Sequence, residues 1–342
     1  MVMAQSLFMS IKARHPDAFV GVLAPAWTEP LLERMPEVDL AIAADFRHGR
    51  LGLGERLAKA RALRALRFDQ AIILPRSIKS ALAPFLARIP RRTSYLGEMR
   101  YGLVNDVRPM DQSALPLTVQ RFVFLSAPRG ATLDGAYPLP RFEIDARRVD
   151  ASLDALGLSR PARPVLALGP GAEYGPAKRW PARHFAALAR RAAGDGYAVW
   201  LFGSEKDRDI TAAIAGESDA DCLDLAGRTR LGQAVDLMSL AAVVVSNDSG
   251  LMHVAAALER PLVALFGSSS ASFTPPLSPR ARVLSLELEC SPCFARKCPL
   301  GHLRCLVDLE PSRVYDAVRE GGSGTGSGPA ASSGLGPNEG LK

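Results

Sequence analysis

Short runs in which nearly every residue is apolar recur along the chain, and segments of helical period lie between most of them. The runs are Phe19 to Leu23, Ala71 to Leu74, Val165 to Leu168, Ala198 to Phe202, Ala242 to Val245 and Leu262 to Phe266. A strand that is apolar at consecutive positions has both faces buried, as in a parallel sheet covered by helices on each side. The fold class that follows is α/β, with right-handed βαβ units wound into doubly wound, Rossmann-like sheets. At 342 residues the chain divides naturally into two such domains. A Pro-rich stretch, Leu156 to Pro164, interrupts the alternation and suits a linker. The boundaries read as 1–155 for a first domain, 156–164 for the linker, 165–320 for a second domain and 321–342 for a Gly- and Ser-rich disordered tail.

No run approaches the ~18 uninterrupted apolar residues of a membrane span. The stretch Met1 to Ser10 is apolar but lacks a basic start, and Ile11 to Pro16 continues it as an amphipathic helix, so an export signal is not expected. The net charge of +7 comes mostly from scattered Arg, with pairs at Arg91-Arg92 and Arg147-Arg148. A solvated surface explains it, and so does attraction to an anionic partner such as an acidic glycolipid at a membrane surface. Nucleic acid is not an expected partner: interleaved aromatics, a zinc-finger His pair and a basic helix are all missing from the sequence.

Two segments share one design. Leu168-Gly-Pro-Gly-Ala-Glu-Tyr-Gly-Pro-Ala-Lys-Arg-Trp-Pro181 and Val245-Ser-Asn-Asp-Ser-Gly-Leu-Met-His253 each pass from an apolar strand through a small polar loop into an amphipathic helix. At such a junction free backbone N–H groups and the positive end of the helix dipole favour phosphate. Two junctions in one half of the chain point to a diphosphate-linked donor. Lys178 lies beside the first loop, where a cation could stabilise charge on a departing phosphate; otherwise it is an exposed Lys near a helix N-terminus. In the second loop Ser249 can cap the following helix and Gly250 can let a phosphate approach the backbone, while Asp248 and its neighbours would also serve as a plain N-cap. His253 lies about one helical turn further on and can face the same crevice, or be a satisfied core residue. Glu173 and Glu205 follow strand ends on the same sheet edge, where they can bind hydroxyls or complement helix dipoles.

Taken with Leu23-Ala-Pro-Ala-Trp27, Arg34-Met-Pro-Glu-Val38, Ser77-Ile-Lys-Ser-Ala81, Gly97-Glu-Met-Arg-Tyr-Gly-Leu103 and Asn105-Asp106, the two loops make a series whose order and spacing resemble the ADP-heptose:lipopolysaccharide heptosyltransferases of glycosyltransferase family 9, in their heptosyltransferase II branch. The resemblance runs from about Met1 to Val318. It implies a GT-B architecture, two Rossmann-like doubly wound domains facing a cleft. It also implies inverting transfer of heptose from ADP-heptose to the heptosylated inner core of lipopolysaccharide, without cofactor or metal, by a cytoplasmic protein peripheral to the inner face of the inner membrane. By the same resemblance Lys178 and Asp248 are the catalytic pair and Glu205 binds the donor at the ribose, while Glu173, Ser249, Gly250 and His253 join them as donor-binding candidates by their places in the two junctions. Lys79, Arg92 and Arg100 belong to the segments expected to hold the anionic acceptor. The family's general base is usually an Asp in the loop after the first strand. This sequence opens with a helix, Met3 to Arg14, so the strand and its Asp are expected upstream of Met1, or are lost from a truncated homologue. A sugar-nucleotide epimerase of GT-B architecture and a catalytically impaired ADP-heptose-binding homologue are the alternative readings.

Cys290, Cys293, Cys298 and Cys305 have C-x2-C-x4-C-x6-C spacing, and Cys222 stands apart. Thiols this close can hold zinc or an iron–sulfur cluster, and disulfides are disfavoured in the cytosol. The spacing is irregular, so the cluster is expected to be structural and mostly metal-free.

Overall fold

The computed structural model describes residues 1–44, 46, 52–132 and 135–322. The chain opens on a 3-10 turn, Val2–Ala4, that runs into α1 (Gln5–Arg14). There follow β1 (Gly21–Ala24), α2 (Glu29–Leu32), β2 (Leu40–Ala43), α3 (Leu53–Ala65), β3 (Gln70–Ile72), α4 (Ile78–Leu86), β4 (Arg91–Tyr95), β5 (Asp106–Arg108), α5 (Thr118–Phe124) and α6 (Ala146–Asp154). The second half contains β6 (Val165–Gly169), α7 (Ala182–Gly194), β7 (Ala198–Leu201), α8 (Arg208–Ser218), β8 (Cys222–Asp224), α9 (Leu231–Met238), β9 (Ala241–Asn247), α10 (Gly250–Ala257), β10 (Leu262–Leu265), β11 (Ala281–Leu284), α11 (Arg304–Val307) and α12 (Pro311–Gly322). The helix α12 runs two residues into the stretch that the sequence assigns to a disordered tail, and the remainder of that stretch lies outside the described residues.

In the second half six parallel strands form one sheet in the order β11-β10-β9-β6-β7-β8. Successive side chains of a strand point to opposite faces, and here both faces are apolar. Leu166 and Leu168 of β6 meet Phe185 and Leu188 of α7 and Val314 and Val318 of α12 in one cluster. Val165 and Ala167 face the other way, into a cluster with Val235 and Met238 of α9 and Met252 of α10. That second cluster continues into the first half, through Leu7 and Phe8 of α1, Val20 and Val22 at β1, Leu31 and Leu32 of α2 and Val149 and Leu153 of α6. The helix α6, which the sequence assigns to the first domain, thus packs on α9 of the second. A buried ion pair crosses the same seam: Arg34, just after α2, reaches Asp236 of α9 at 2.5 Å.

In the first half the strands are parallel but form two separate sheets, β1-β2 and β3-β4-β5. Between them the ring of Phe68 lies against Gly21, where an added Cβ would come within 2.5 Å of a ring carbon. Leu23, Phe68 and Ala71 join there in an apolar cluster with Ala60, Leu63 and Ile89 of the neighbouring helices and loop.

Candidate active site

The chain goes from β6 to β7 to β8 in one direction across the sheet, then returns to place β9 on the other side of β6. In an open parallel sheet this reversal leaves a crevice at the carboxyl ends of the two strands, since the connections leave it on opposite sides. The loops after β6 and β9 meet there, and Asn247 joins them. Its fully buried side chain donates from Nδ2 to the carbonyl of Pro170 at 2.7 Å and accepts through Oδ1 from the backbone N–H of Trp180 at 3.1 Å. Trp180, itself buried, donates its indole N–H to the carbonyl of Leu309 at 2.9 Å and so anchors the far end of the loop.

Lys178 closes a 3-10 turn, Pro176–Lys178, in the β6 loop. Its Nζ lies 2.5 Å from Oδ2 of Asp248 in the β9 loop and 5.0 Å from the centre of the Tyr174 ring. The Lys178 side chain retains 17% exposure against 6% for Asp248, so the ammonium is the member of the pair open to the crevice. Asp248 Oδ2 also accepts from the hydroxyl of Ser269 at 2.6 Å. The carboxylate is therefore held from two sides while the ammonium keeps donor capacity to spare.

Ser249 occupies the N-cap position of α10 with extended backbone, but its hydroxyl makes no capping bond. It turns instead to the hydroxyl of Ser246 at 3.2 Å, so the capping role expected of it is not the one it takes. Gly250 opens α10, and an added Cβ there would meet nothing within 4 Å, which leaves the helix N-terminus clear on that side. His253 is half-buried on α10. Burial pushes its pKa down to about 4, and the nearby Asp248 carboxylate only partly opposes the shift. Near neutral pH the imidazole is uncharged and offers one donor and one acceptor.

Glu173 and Glu205 lie on the adjoining β6 and β7 loops, both exposed. Glu173 accepts from Lys206 at 2.7 Å and Glu205 from Arg208 at 3.0 Å. In the β7 loop, facing the β6 loop, sits Asp207, a residue without a part in the sequence reading. It accepts from the N–H and the hydroxyl of Ser204 at 2.9 Å and 2.8 Å, closing the β7 turn. Its carboxylate also lies against Gly171, where an added Cβ would approach within 2.7 Å. Asn247, Asp207 and Ser269 are thus the site groups that sequence reasoning passed over. A signal existed for Ser269: Gly267-Ser-Ser-Ser270 follows the apolar run of β10 as another strand-to-small-loop junction.

Of the three cations expected on the acceptor side, Arg100 and Arg92 turn their guanidinium groups to carbonyls of the fold itself. Arg100 is fully buried, donating to the carbonyls of Pro75 and Tyr95 and to the hydroxyl of Ser94, and burial holds its pKa below the ordinary arginine range. It ties the β4 loop to the end of β3 and presents no charge to solvent. Arg92 spends its guanidinium on the carbonyls of Leu103, Ile89 and Gly102 and stacks over Phe85. Lys79 stands in the first turn of α4, half-buried, beside the Ser77 cap.

Residues 56–304 match the family model for glycosyltransferase family 9 (heptosyltransferase). Over 327 residues the chain is 48% identical to lipopolysaccharide heptosyltransferase 2 of Salmonella typhimurium, covering 93% of this chain and 94% of that protein. Against the protein of the same name from Escherichia coli the identity is 47% with the same coverage. Among solved structures, E. coli ADP-heptose LPS heptosyltransferase II superposes with a TM-score of 0.83 at 44% identity, covering 93% of this chain and 94% of that one. A family 9 glycosyl transferase from Veillonella parvula has a TM-score of 0.80 at 20% identity, covering 93% and 92%, and shares the fold.

Proposed function

The chain belongs to glycosyltransferase family 9 and is a heptosyltransferase of lipopolysaccharide core biosynthesis with GT-B architecture, and from this premise we propose that ADP-heptose binds at the β6/β9 crevice and that Lys178 and Asp248 carry the leaving-group half of the reaction. The observation that supports it most directly is the 2.5 Å contact between Lys178 Nζ and Asp248 Oδ2 beside the open N-terminus of α10. In the transfer an acceptor hydroxyl attacks the anomeric carbon as the bond from that carbon to the diphosphate oxygen breaks. The hydroxyl proton passes to solvent water, and ADP leaves with one more negative charge. Attack on the face opposite the diphosphate inverts the anomeric carbon. Lys178 is placed to bear the new charge together with the free N–H groups that open α10, at Gly250 and Leu251. Asp248, held by Ser269, keeps the Lys178 side chain aimed at the crevice before the donor arrives. His253, neutral at working pH, donates a hydrogen bond to a phosphate oxygen without adding charge. Glu205 and Glu173 are assigned to donor hydroxyls, which the exposure of their ion pairs permits, because exposed pairs exchange at little cost.

The acceptor is the heptosylated inner core of lipopolysaccharide, held by the first half, with half-buried Lys79 the one of its three cations whose charged group is not assigned, among the described residues, to carbonyls of the fold. The protein works peripherally at the cytoplasmic face of the inner membrane. No helix among the described residues is long and apolar enough to cross a membrane, and the net charge of +7 suits an anionic surface. The named relatives are heptosyltransferases, which favours transfer over epimerisation. Incubating the chain with ADP-heptose and a heptosylated lipid A acceptor tests the reading. The expected product is a glycolipid heavier by one heptose, with ADP released in equal amount. Free rearranged sugar without glycolipid gain would establish the epimerase, and donor binding without either product would establish the impaired homologue.

A further inference from the structure

Residues 285–303, between β11 and α11, contain neither helix nor strand. The segment nonetheless braces the donor crevice. The N–H of Phe294 donates to the carbonyl of Ser268 at 2.7 Å, the carbonyl of Arg296 accepts from the N–H of Ala177 at 3.1 Å, and the carbonyl of Phe294 accepts from the Tyr174 hydroxyl at 2.6 Å. Gly175, at φ +154, passes so close that an added Cβ would fall 2.5 Å from the Arg296 carbonyl oxygen. Leu286, Leu288 and Leu303 pack partly against the core at the segment's two ends, but between them Phe294 is 53% and Leu300 61% exposed. A structureless stretch of this length must offset the ordering cost of its middle residues with something other than core burial.

Cys290, Cys293, Cys298 and Cys305 all line one cavity of about 20 Å³. One water needs roughly 10–15 Å³ of such space, so the cavity suits a single small body and excludes any organic ligand. A second observation points into the same space. Ser268 also lines the cavity, is 1% exposed, and its buried hydroxyl has no hydrogen-bond partner in the structure. Leu303 N–H is directed at Cys298 Sγ at 3.4 Å, an arrangement that favours a sulfur carrying negative charge. None of the four thiols is in a disulfide. Among the described residues no group of three or more His, Cys, Asp or Glu side chains stands close enough to hold a metal ion, so ligation requires these thiols to draw together around the cavity. Cys290 and Cys293 are exposed and Cys298 is half-buried, so it is these three that can close on the buried Cys305.

We infer that Cys290, Cys293, Cys298 and Cys305 together bind one metal ion through four sulfurs, and that this ion pins the segment 285–303 against the donor loops. Zinc is the ion that a closed tetrahedral all-sulfur set suits best, with Zn–S distances of about 2.3 Å. Each thiol gives its proton to solvent on ligation. The assignment reverses the expectation of a metal-free cluster drawn from the spacing alone, and it stands apart from the proposed reaction.

The test uses the full chain, purified under reducing conditions without chelator. Elemental analysis is expected to find about one zinc per chain. Cys290→Ser and Cys293→Ser, at exposed positions, are each expected to lower bound zinc by more than about tenfold while keeping a cooperative melting transition. Cys222→Ser, on β8 outside the segment, should keep its zinc. Chain stripped of metal and reloaded with cobalt(II) should show the intense visible absorption of tetrahedral cobalt thiolate. One iron per chain with the same losses would uphold the site and replace zinc by iron. A parent chain that is metal-free as purified and takes up neither zinc nor cobalt would overturn the proposal, as would a folded Cys293→Ser variant with undiminished zinc.

Discussion

Lys178 Nζ and Asp248 Oδ2 stand 2.5 Å apart although 70 residues separate them in sequence, because β6 and β9 are adjacent in the sheet and their loops end side by side. Lys178→Ala should lower turnover by on the order of 10²-fold, the scale for removing one preorganised contact to a developing anion. Asp248 keeps its bond from Ser269 in that variant, so melting should change far less than activity. Steady-state kinetics beside thermal unfolding separates the two effects. Turnover equal to the parent's would remove Lys178 from the leaving-group role.

The seam between the halves makes a different prediction. Arg34 and Asp236 are almost fully buried, with side-chain exposures of 4% and 5%, and Asp236 accepts a further bond from Ser152 at 3.1 Å. Truncating one member leaves the other buried and charged with no counter-ion, at a cost of about 3–5 kcal/mol. Asp236→Ala should therefore be strongly destabilising, and the double variant Arg34→Met, Asp236→Leu much less so. Urea unfolding of the three chains checks it. A double variant as unstable as Asp236→Ala would show that hydrogen bonds, not the stranded charge, dominate.

His253 gives stability a pH dependence of defined sign. Its pKa is about 4 in the folded chain against an ordinary 6.5, with burial the leading cause. Between those values the unfolded chain binds the proton and the folded chain does not, so acid favours unfolding throughout that window. The contribution is complete above about 6.5, is lost progressively as pH falls towards 4, and changes no further below that. At 1.36 kcal/mol per unit it amounts to about 3 kcal/mol at most. Stability curves of the parent and of His253→Gln should diverge across that window, the parent falling more steeply. Parallel curves would mean that His253 is as accessible to protons folded as unfolded.

The sequence makes the second half legible because burial on both faces writes itself as continuous apolar runs: β6 and β10 are buried at every position. It hides β4, Arg-Arg-Thr-Ser-Tyr, because that strand is held partly by polar side chains: Thr93 donates to Asp106 at 2.8 Å and Ser94 to the carbonyl of Ile73 at 2.6 Å. The loops after β6 and β9 are legible for a similar reason, since a strand that stops at Gly, Asp and Ser leaves a visible mark. The burial of Arg100 is not legible because the usual expectation for an arginine is the surface, and only the fold reveals the carbonyls of Pro75 and Tyr95 turned towards it. Ser269 and Asp207 act through partners distant in sequence or through the shape of a turn, which no periodicity encodes.

Asn247 is the residue on which the donor site should depend most without touching the donor. Its amide satisfies the Pro170 carbonyl and the Trp180 N–H, both in the loop that carries Lys178. Asn247→Ala leaves both groups buried and unpaired, at about 1–3 kcal/mol each. Asn247→Asp keeps an acceptor for Trp180 but sets an oxygen against the Pro170 carbonyl, so it should also displace the loop. Both variants should raise the KM for the sugar-nucleotide donor while the KM for the lipid acceptor stays near the parent value, since the acceptor is assigned to the other half. Ser270→Ala, in the β10 loop, is the comparison for a change nearby that breaks neither bond. If both KM values rise together in the Asn247 variants, the loss is one of general folding and the assignment of Asn247 as the positioning residue of the Lys178 loop does not stand.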